Sequence, residues 1–123
     1  NMAWREICRY LQKRYIPPQA RILDLGAGQC HFINNIRGRE KHALDIFPGL
    51  AHYTKDAVAH VGSCTTLERF DNQAFDTVFS SNLFEHLTRD ELNIVLKDIR
   101  RILSPGGKLI VMQPNFATSY KHY

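Results

Sequence analysis

Apolar positions recur first with the period of a helix and then in short continuous runs set apart by turn residues. Trp4, Ile7, Cys8, Leu11 and Tyr15 keep the three-and-four spacing of one helix face, which predicts an amphipathic helix that Pro17-Pro18 stops. Arg21 to Leu25 is a brief apolar run ending in Asp24 and the glycines Gly26 and Gly28, the pattern of a buried strand entering a tight turn. From Cys30 to Ile36 the residues Phe32, Ile33 and Ile36 resume helical spacing before Gly38, so a second helix is expected there.

Five further segments continue the alternation. His42 to Ile46 reads as a second strand closed by Asp45 and broken by Pro48-Gly49, Val58 to Gly62 as a weaker third, and Phe75 to Ser80 as a stronger fourth. Thr88 and Glu91 form a capping box, in which hydroxyl and carboxylate satisfy amides left open at a helix start. Leu92, Val95, Leu96, Ile99, Ile102 and Leu103 supply that helix's buried stripe, and Ser104-Pro105-Gly106-Gly107 ends it before a fifth strand, Lys108 to Met112. Strands alternating with helices predict an α/β fold, a mostly parallel sheet of about five strands between two helical layers. Ligands bind such sheets beyond the carboxyl ends of the strands.

Composition narrows this picture little. With 123 residues, 44% hydrophobic and 23% charged, the chain is expected to be one ordinary globular domain over 1–123. Its apolar runs are too short to span a bilayer, which takes about 18 residues, so no membrane span is expected. Cys8, Cys30 and Cys64 are odd in number and widely spaced, which suggests buried thiols in a reducing cytoplasm rather than a disulfide framework. The net charge of +4 gathers before Lys41, in Arg5, Arg9, Lys13, Arg14, Arg21, Arg37 and Arg39. That cluster reads either as a solvated face or as a surface for an anion, while the lack of a long basic run interleaved with aromatics argues against nucleic acid.

The candidate chemistry lies at the first turn. Glycine permits backbone torsions closed to other residues and lets a ligand approach closely, and Asp45, about 20 residues on, is placed to accept hydrogen bonds from ribose hydroxyls. A dinucleotide fingerprint would want a third glycine where His31 stands and no acid at the position of Asp24, so NAD is disfavoured. An acid beside the turn suits a ligand that presents a cation there, because a carboxylate repels a pyrophosphate.

These residues resemble the class I S-adenosylmethionine-dependent methyltransferases. The likeness rests on DLGAG at 24–28, LD at 44–45, GSC at 62–64, FDTVFSSNLFEHL at 75–87 and LSPGGKLIV at 103–111, and covers nearly all of Arg21 to Pro114. It implies a three-layer Rossmann-like sandwich with S-adenosylmethionine held across the first, second and fourth strands and S-adenosylhomocysteine as product. By resemblance, Asp24 orients the amino-acid end of the donor, and Gly26, Ala27 and Gly28 leave room for it. Asp45 holds the ribose, Ile46 lies against the adenine, Ser63 and Cys64 reach its edge, and Ser81 and Asn82 approach the methionine part. The turn departs from the family at Cys30, which replaces a third glycine.

His86 has two readings: a base that takes a proton from the acceptor, since imidazole titrates near working pH, or a packing residue beside the helix start at Thr88. Trp4, Tyr10 and Tyr15 are core residues or help to close the donor site. His31, His42, His52, His60 and His122 share no ligand spacing, so no metal is expected. The expected activity is methyl transfer to an O, N or C nucleophile of a small-molecule or glycan- or lipid-linked acceptor. Alternatives are a non-catalytic cofactor- or partner-binding domain and, less favoured, an NAD-dependent oxidoreductase. Since the family usually continues past the fifth strand, the resemblance implies that its C-terminal strands are missing here. The bare edge would invite a homo-oligomer.

Overall fold

A computed structural model of the chain describes residues 2–113. Its centre is β1 (Arg21–Leu25), flanked on one side by β2 (Glu40–Asp45) and β3 (Val58–Val61) and on the other by β4 (Phe75–Ser81) and β5 (Leu103–Met112). The order is β3-β2-β1-β4-β5 and every neighbouring pair is parallel. The chain leaves β1 for β2 and β3, then returns to the other side for β4, so strand order reverses between β1 and β4. Such a reversal opens a crevice at the carboxyl ends of the strands. The α/β class, the parallel sheet and the five strands match the sequence reading.

Each face of the sheet has its own core. On one face α1 (Met2–Arg14) buries Cys8 and Leu11 against Ile22, Ala43, Phe32 and Phe79. On the other, α2 (Arg89–Ile102) buries Val95, Ile99 and Ile102 against Leu23, Leu25, Leu44 and Val78. β1 is buried from Ile22 to Leu25 because it is covered on both faces, which is why its sequence runs apolar instead of alternating. The capping box is made in full: Glu91 N–H donates to Thr88 Oγ1 at 3.1 Å and Thr88 N–H donates to Glu91 Oε1 at 2.9 Å.

Several expectations are corrected. Residues 31–36 form successive turns and not a second helix. Asn34 N–H reaches back four residues to Cys30 O at 3.0 Å, whereas Asn35 N–H reaches only three, to Phe32 O at 3.0 Å. The asparagine side chains compete for backbone groups: Asn34 Nδ2 donates to Tyr53 O at 2.7 Å, its Oδ1 accepts from Lys55 N–H at 3.1 Å, and Asn35 Nδ2 donates to His31 O at 2.7 Å. Tyr15 and Leu96 are exposed, and Leu103 leaves α2 as its extended cap to open β5. The Ser104–Gly107 stretch is a bulge within β5, where the partners of Phe75 and Thr77 are Leu103 and Lys108.

At the outer strands, His42 Nδ1 and His60 Nε2 share a hydrogen bond at 2.8 Å, and His42 Nε2 meets Glu40 Oε2 at 2.9 Å. Burial, helped by electrostatic interaction with His42 and Arg69, lowers the His60 pKa. Among the described residues no cluster of three or more His, Cys, Asp or Glu could hold a metal ion; His122 lies outside them. No described helix is long and apolar enough to cross a membrane.

Candidate functional site

The turn after β1 is built by its neighbours. Gly26 N–H and Ala27 N–H both donate to Leu44 O, at 2.8 and 3.0 Å, which ties the loop to the end of β2. Gly26 and Gly28 have φ of +75° and +56°, in the left-handed region that favours glycine. Cys30 takes φ +65° as well, a conformation that glycine adopts without strain. Its buried side chain instead fills the core beneath the loop. Asp45 closes the arrangement, accepting from Gly28 N–H at 2.8 Å on one oxygen and from Phe47 N–H at 3.0 Å on the other. A carboxylate oxygen can accept more than one hydrogen bond, so both retain capacity for a ligand.

Two cavities meet at Gly26. The first, about 130 Å³, is lined by Asp24, Gly26, Ala27, Gly28 and Ser81, with walls from Trp4, His31, Phe32 and Phe79. The second, about 240 Å³, is lined by Gly26, Asp45, Ile46, Ser63, Cys64 and His86, with Leu44, Gly62, Leu83 and Leu87. They lie at the carboxyl ends of β1, β2, β3 and β4. Of the site residues expected from the sequence, the structure brings all but Asn82 to one cavity or the other. Asn82 is exposed at φ +57°, its N–H donates to Met112 O at 3.0 Å and its Nδ2 to Ser81 Oγ at 3.2 Å. It therefore steadies the β4 end from outside.

Asp24 is the electrostatic centre of the first cavity. It is only 2% exposed. Burial pushes its carboxyl up to about 8, against a hydrogen bond from the Ile33 backbone that favours the charged form and with repulsion from Asp45 adding to the rise. A carboxyl held this way ionises readily when a cation enters beside it. Burial also raises the thiols of Cys8 and Cys30, each to about 11, and that of Cys64, so none is a reactive thiolate.

The second cavity has a polar rim and an apolar lid. Ser63 Oγ lies 2.8 Å from Thr65 Oγ1 and accepts from Thr65 N–H at 3.1 Å, which shapes the turn after β3. Leu83, Leu87 and His86 follow β4, and the His86 side chain is 75% exposed with Nε2 3.6 Å from Glu85 Oε1. His86 thus stands with Asp45 and not with Asp24. The sequence reading missed Leu83 and Leu87, whose spacing looks like core, and Gly62 and Phe79. It named Trp4 as core or closure; Trp4 lines the Asp24 cavity, stacked on His31 with ring centroids 6.1 Å apart.

Fold and site together define a class. Residues 23–111 match the model of a methyltransferase domain family, and the chain belongs to that family, with the Rossmann-like fold of class I S-adenosylmethionine-dependent methyltransferases. Among curated relatives it is similar to the malonyl-[acyl-carrier protein] O-methyltransferase of Methylococcus capsulatus, 34% identical over 104 residues that cover 76% of this chain and 37% of that one. Its fold is shared with the crystal structure of the PH0226 protein of Pyrococcus horikoshii, at a TM-score of 0.76 and 24% identity, covering 95% of this chain and 59% of that one. It is shared too with Haemonchus contortus phosphoethanolamine N-methyltransferase 1, solved with phosphoethanolamine and S-adenosylhomocysteine, at a TM-score of 0.68 and 21% identity, covering 76% of this chain and 22% of that one. The chain spans 5% to 37% of the length of the curated relatives it matches.

Proposed function

We propose that residues 1–123 act as one domain that binds S-adenosylmethionine in the paired cavities and directs its methyl group to an O, N or C nucleophile of a small-molecule or glycan- or lipid-linked acceptor. The observation that carries this reading is the meeting of the two cavities at Gly26, with a buried acid in one and a hydrogen-bonded acid in the other. When bound, the donor supplies an electrophilic methyl on a sulfonium, so a protein contributes alignment and field rather than a covalent intermediate. Asp24 pairs with an ammonium group and ionises as it does so. Asp45, already fixed by Gly28 and Phe47, accepts from vicinal hydroxyls. Ser63 and Cys64 face the edge of a base, and Leu83 with Leu87 excludes water from its face.

Calorimetric titration with S-adenosylhomocysteine tests the donor half. The parent chain is expected to bind, and Asp45→Ala to weaken binding by about 10- to 150-fold, the range for losing hydrogen bonds to a charged group. A folded parent that fails to bind would sink the proposal. His86 is assigned here to covering the nucleoside, because it shares the cavity of Asp45. Where turnover of an acceptor is measurable, His86→Ala is expected to lower kcat by less than tenfold without removing a limb of the pH profile. A loss of about 100-fold or more together with such a limb would restore the role of base.

A further inference from the structure

A third cavity, wider than either of those above at about 610 Å³, lies between α1 and the segment that follows the glycine turn. Arg5, Arg9 and Lys13 line it from α1 and Arg37 from the facing segment, and no carboxylate shares the lining. The three helix positions stand four residues apart, hence on one face with a rise of about 6 Å between neighbours. Like charges so spaced repel. Arg9 has an exposed partner in Glu6 at 2.9 Å, whereas the side chains of Arg5, Lys13 and Arg37 make no ion pair or hydrogen bond among the described residues.

The backbone that carries the fourth cation is fixed to α1. Gln12 Nε2 donates to Arg37 O at 3.0 Å and to Ile16 O at 2.9 Å, while Gln12 Oε1 accepts from Arg37 N–H at 2.7 Å. Both backbone groups of Arg37 are thus clamped to α1 across the groove, against the repulsion of the cations they bring together. We propose that the groove between α1 and Arg37 binds a ligand bearing two or three phosphate groups.

Phosphate is favoured over a single carboxylate by the count of charges and by the guanidinium fork, which matches phosphate oxygens in pairs. A strand of nucleic acid fits less well, since the α1 cations span only about 12 Å and single-strand sites track about four or more nucleotides over stacked aromatics. A free di- or triphosphate and a lipid headgroup both carry this chemistry, and the test separates them. The site is independent of the methyl-donor reading.

Titration with tripolyphosphate at about 20 mM salt, where charges are weakly screened, is expected to give saturable one-to-one binding. The double variant Lys13→Gln, Arg37→Gln should weaken it at least tenfold with an unchanged circular dichroism spectrum, because the clamp uses only the backbone of Arg37. Flotation on phosphatidylcholine vesicles carrying a phosphoinositide then locates the source: retention of the parent and loss of the variant assigns a lipid headgroup, and no retention beside tripolyphosphate binding assigns a soluble ligand. Absent saturable binding, or equal affinity of parent and variant, would overturn the proposal. So would a single-stranded oligonucleotide that binds where tripolyphosphate does not.

Discussion

Asp24→Asn is expected to weaken S-adenosylhomocysteine binding by about 10- to 150-fold and, at the same time, to make the empty chain more stable at pH 8 than the parent. The two effects share one cause. Burial lifts the folded-state pKa of Asp24 to about 8, while in the unfolded chain it stays near its ordinary value of 3.8. Between those values the folded state holds the extra proton, so this residue's contribution to stability is complete below about pH 4 and is lost as pH rises through about 8. Asparagine does not titrate, and its amide oxygen can still accept from the Ile33 backbone. The melting temperature of the variant relative to the parent should therefore climb from pH 5 to pH 8. A gap that stays constant would count against a buried, proton-sharing Asp24.

The same acid leaves a signature in the binding heat. At pH 7 an ammonium group entering the Asp24 cavity draws the carboxyl into its charged form, and the displaced proton goes to the buffer. Titrations in two buffers of different ionisation enthalpy should show proton release for the parent and none for Asp24→Asn. Parental affinity in the variant would remove Asp24 from the site.

Phe79→Ala is expected to have the largest effect on folding, costing about 3–5 kcal/mol of the roughly 5–15 that a domain of this kind has. Phe79 is fully buried at the middle of β4 and stacks on Phe32 with centroids 3.7 Å apart, while Trp4 meets it edge-on at 6.3 Å. Removing the ring leaves Phe32 and Trp4 facing a void under the Asp24 cavity. Urea denaturation should show a midpoint lowered at an unchanged slope. Phe79→Leu keeps most of the volume and should cost about 1–2 kcal/mol. A loss below about 1 kcal/mol for the alanine variant would mean that the core on this face closes around the gap.

Much of this architecture was legible because local signals and tertiary roles coincide. The run from Ile22 to Leu25 is apolar because β1 is covered twice, and Thr88 with Glu91 caps α2 by contacts that need nothing beyond four residues. Asp45 could be found from its distance along the chain to the glycine turn. The segment 30–36 was misread for a reason spacing cannot reveal, since Asn34 is committed to Tyr53 and Lys55, partners about 20 residues away. Leu83 and Leu87 carry the same apolar signature whether they face a core or a ligand. Asn82 sat next to the right strand end, but its left-handed backbone turns it toward Met112. Ser104 to Gly107 looked like a plain stop because a bulge and a loop use the same residues.

Gly26 joins the two cavities, and Leu83 lies on that join: a Cβ built on Gly26 would stand 3.1 Å from Leu83 Cδ2. A side chain at position 26 would therefore be strained twice, by the left-handed backbone and by Leu83, and would fill the one place that both sockets share. Leu83 is itself partly buried against the core of the α2 face, so the join between the two acids is tied to the packing on that side of the sheet.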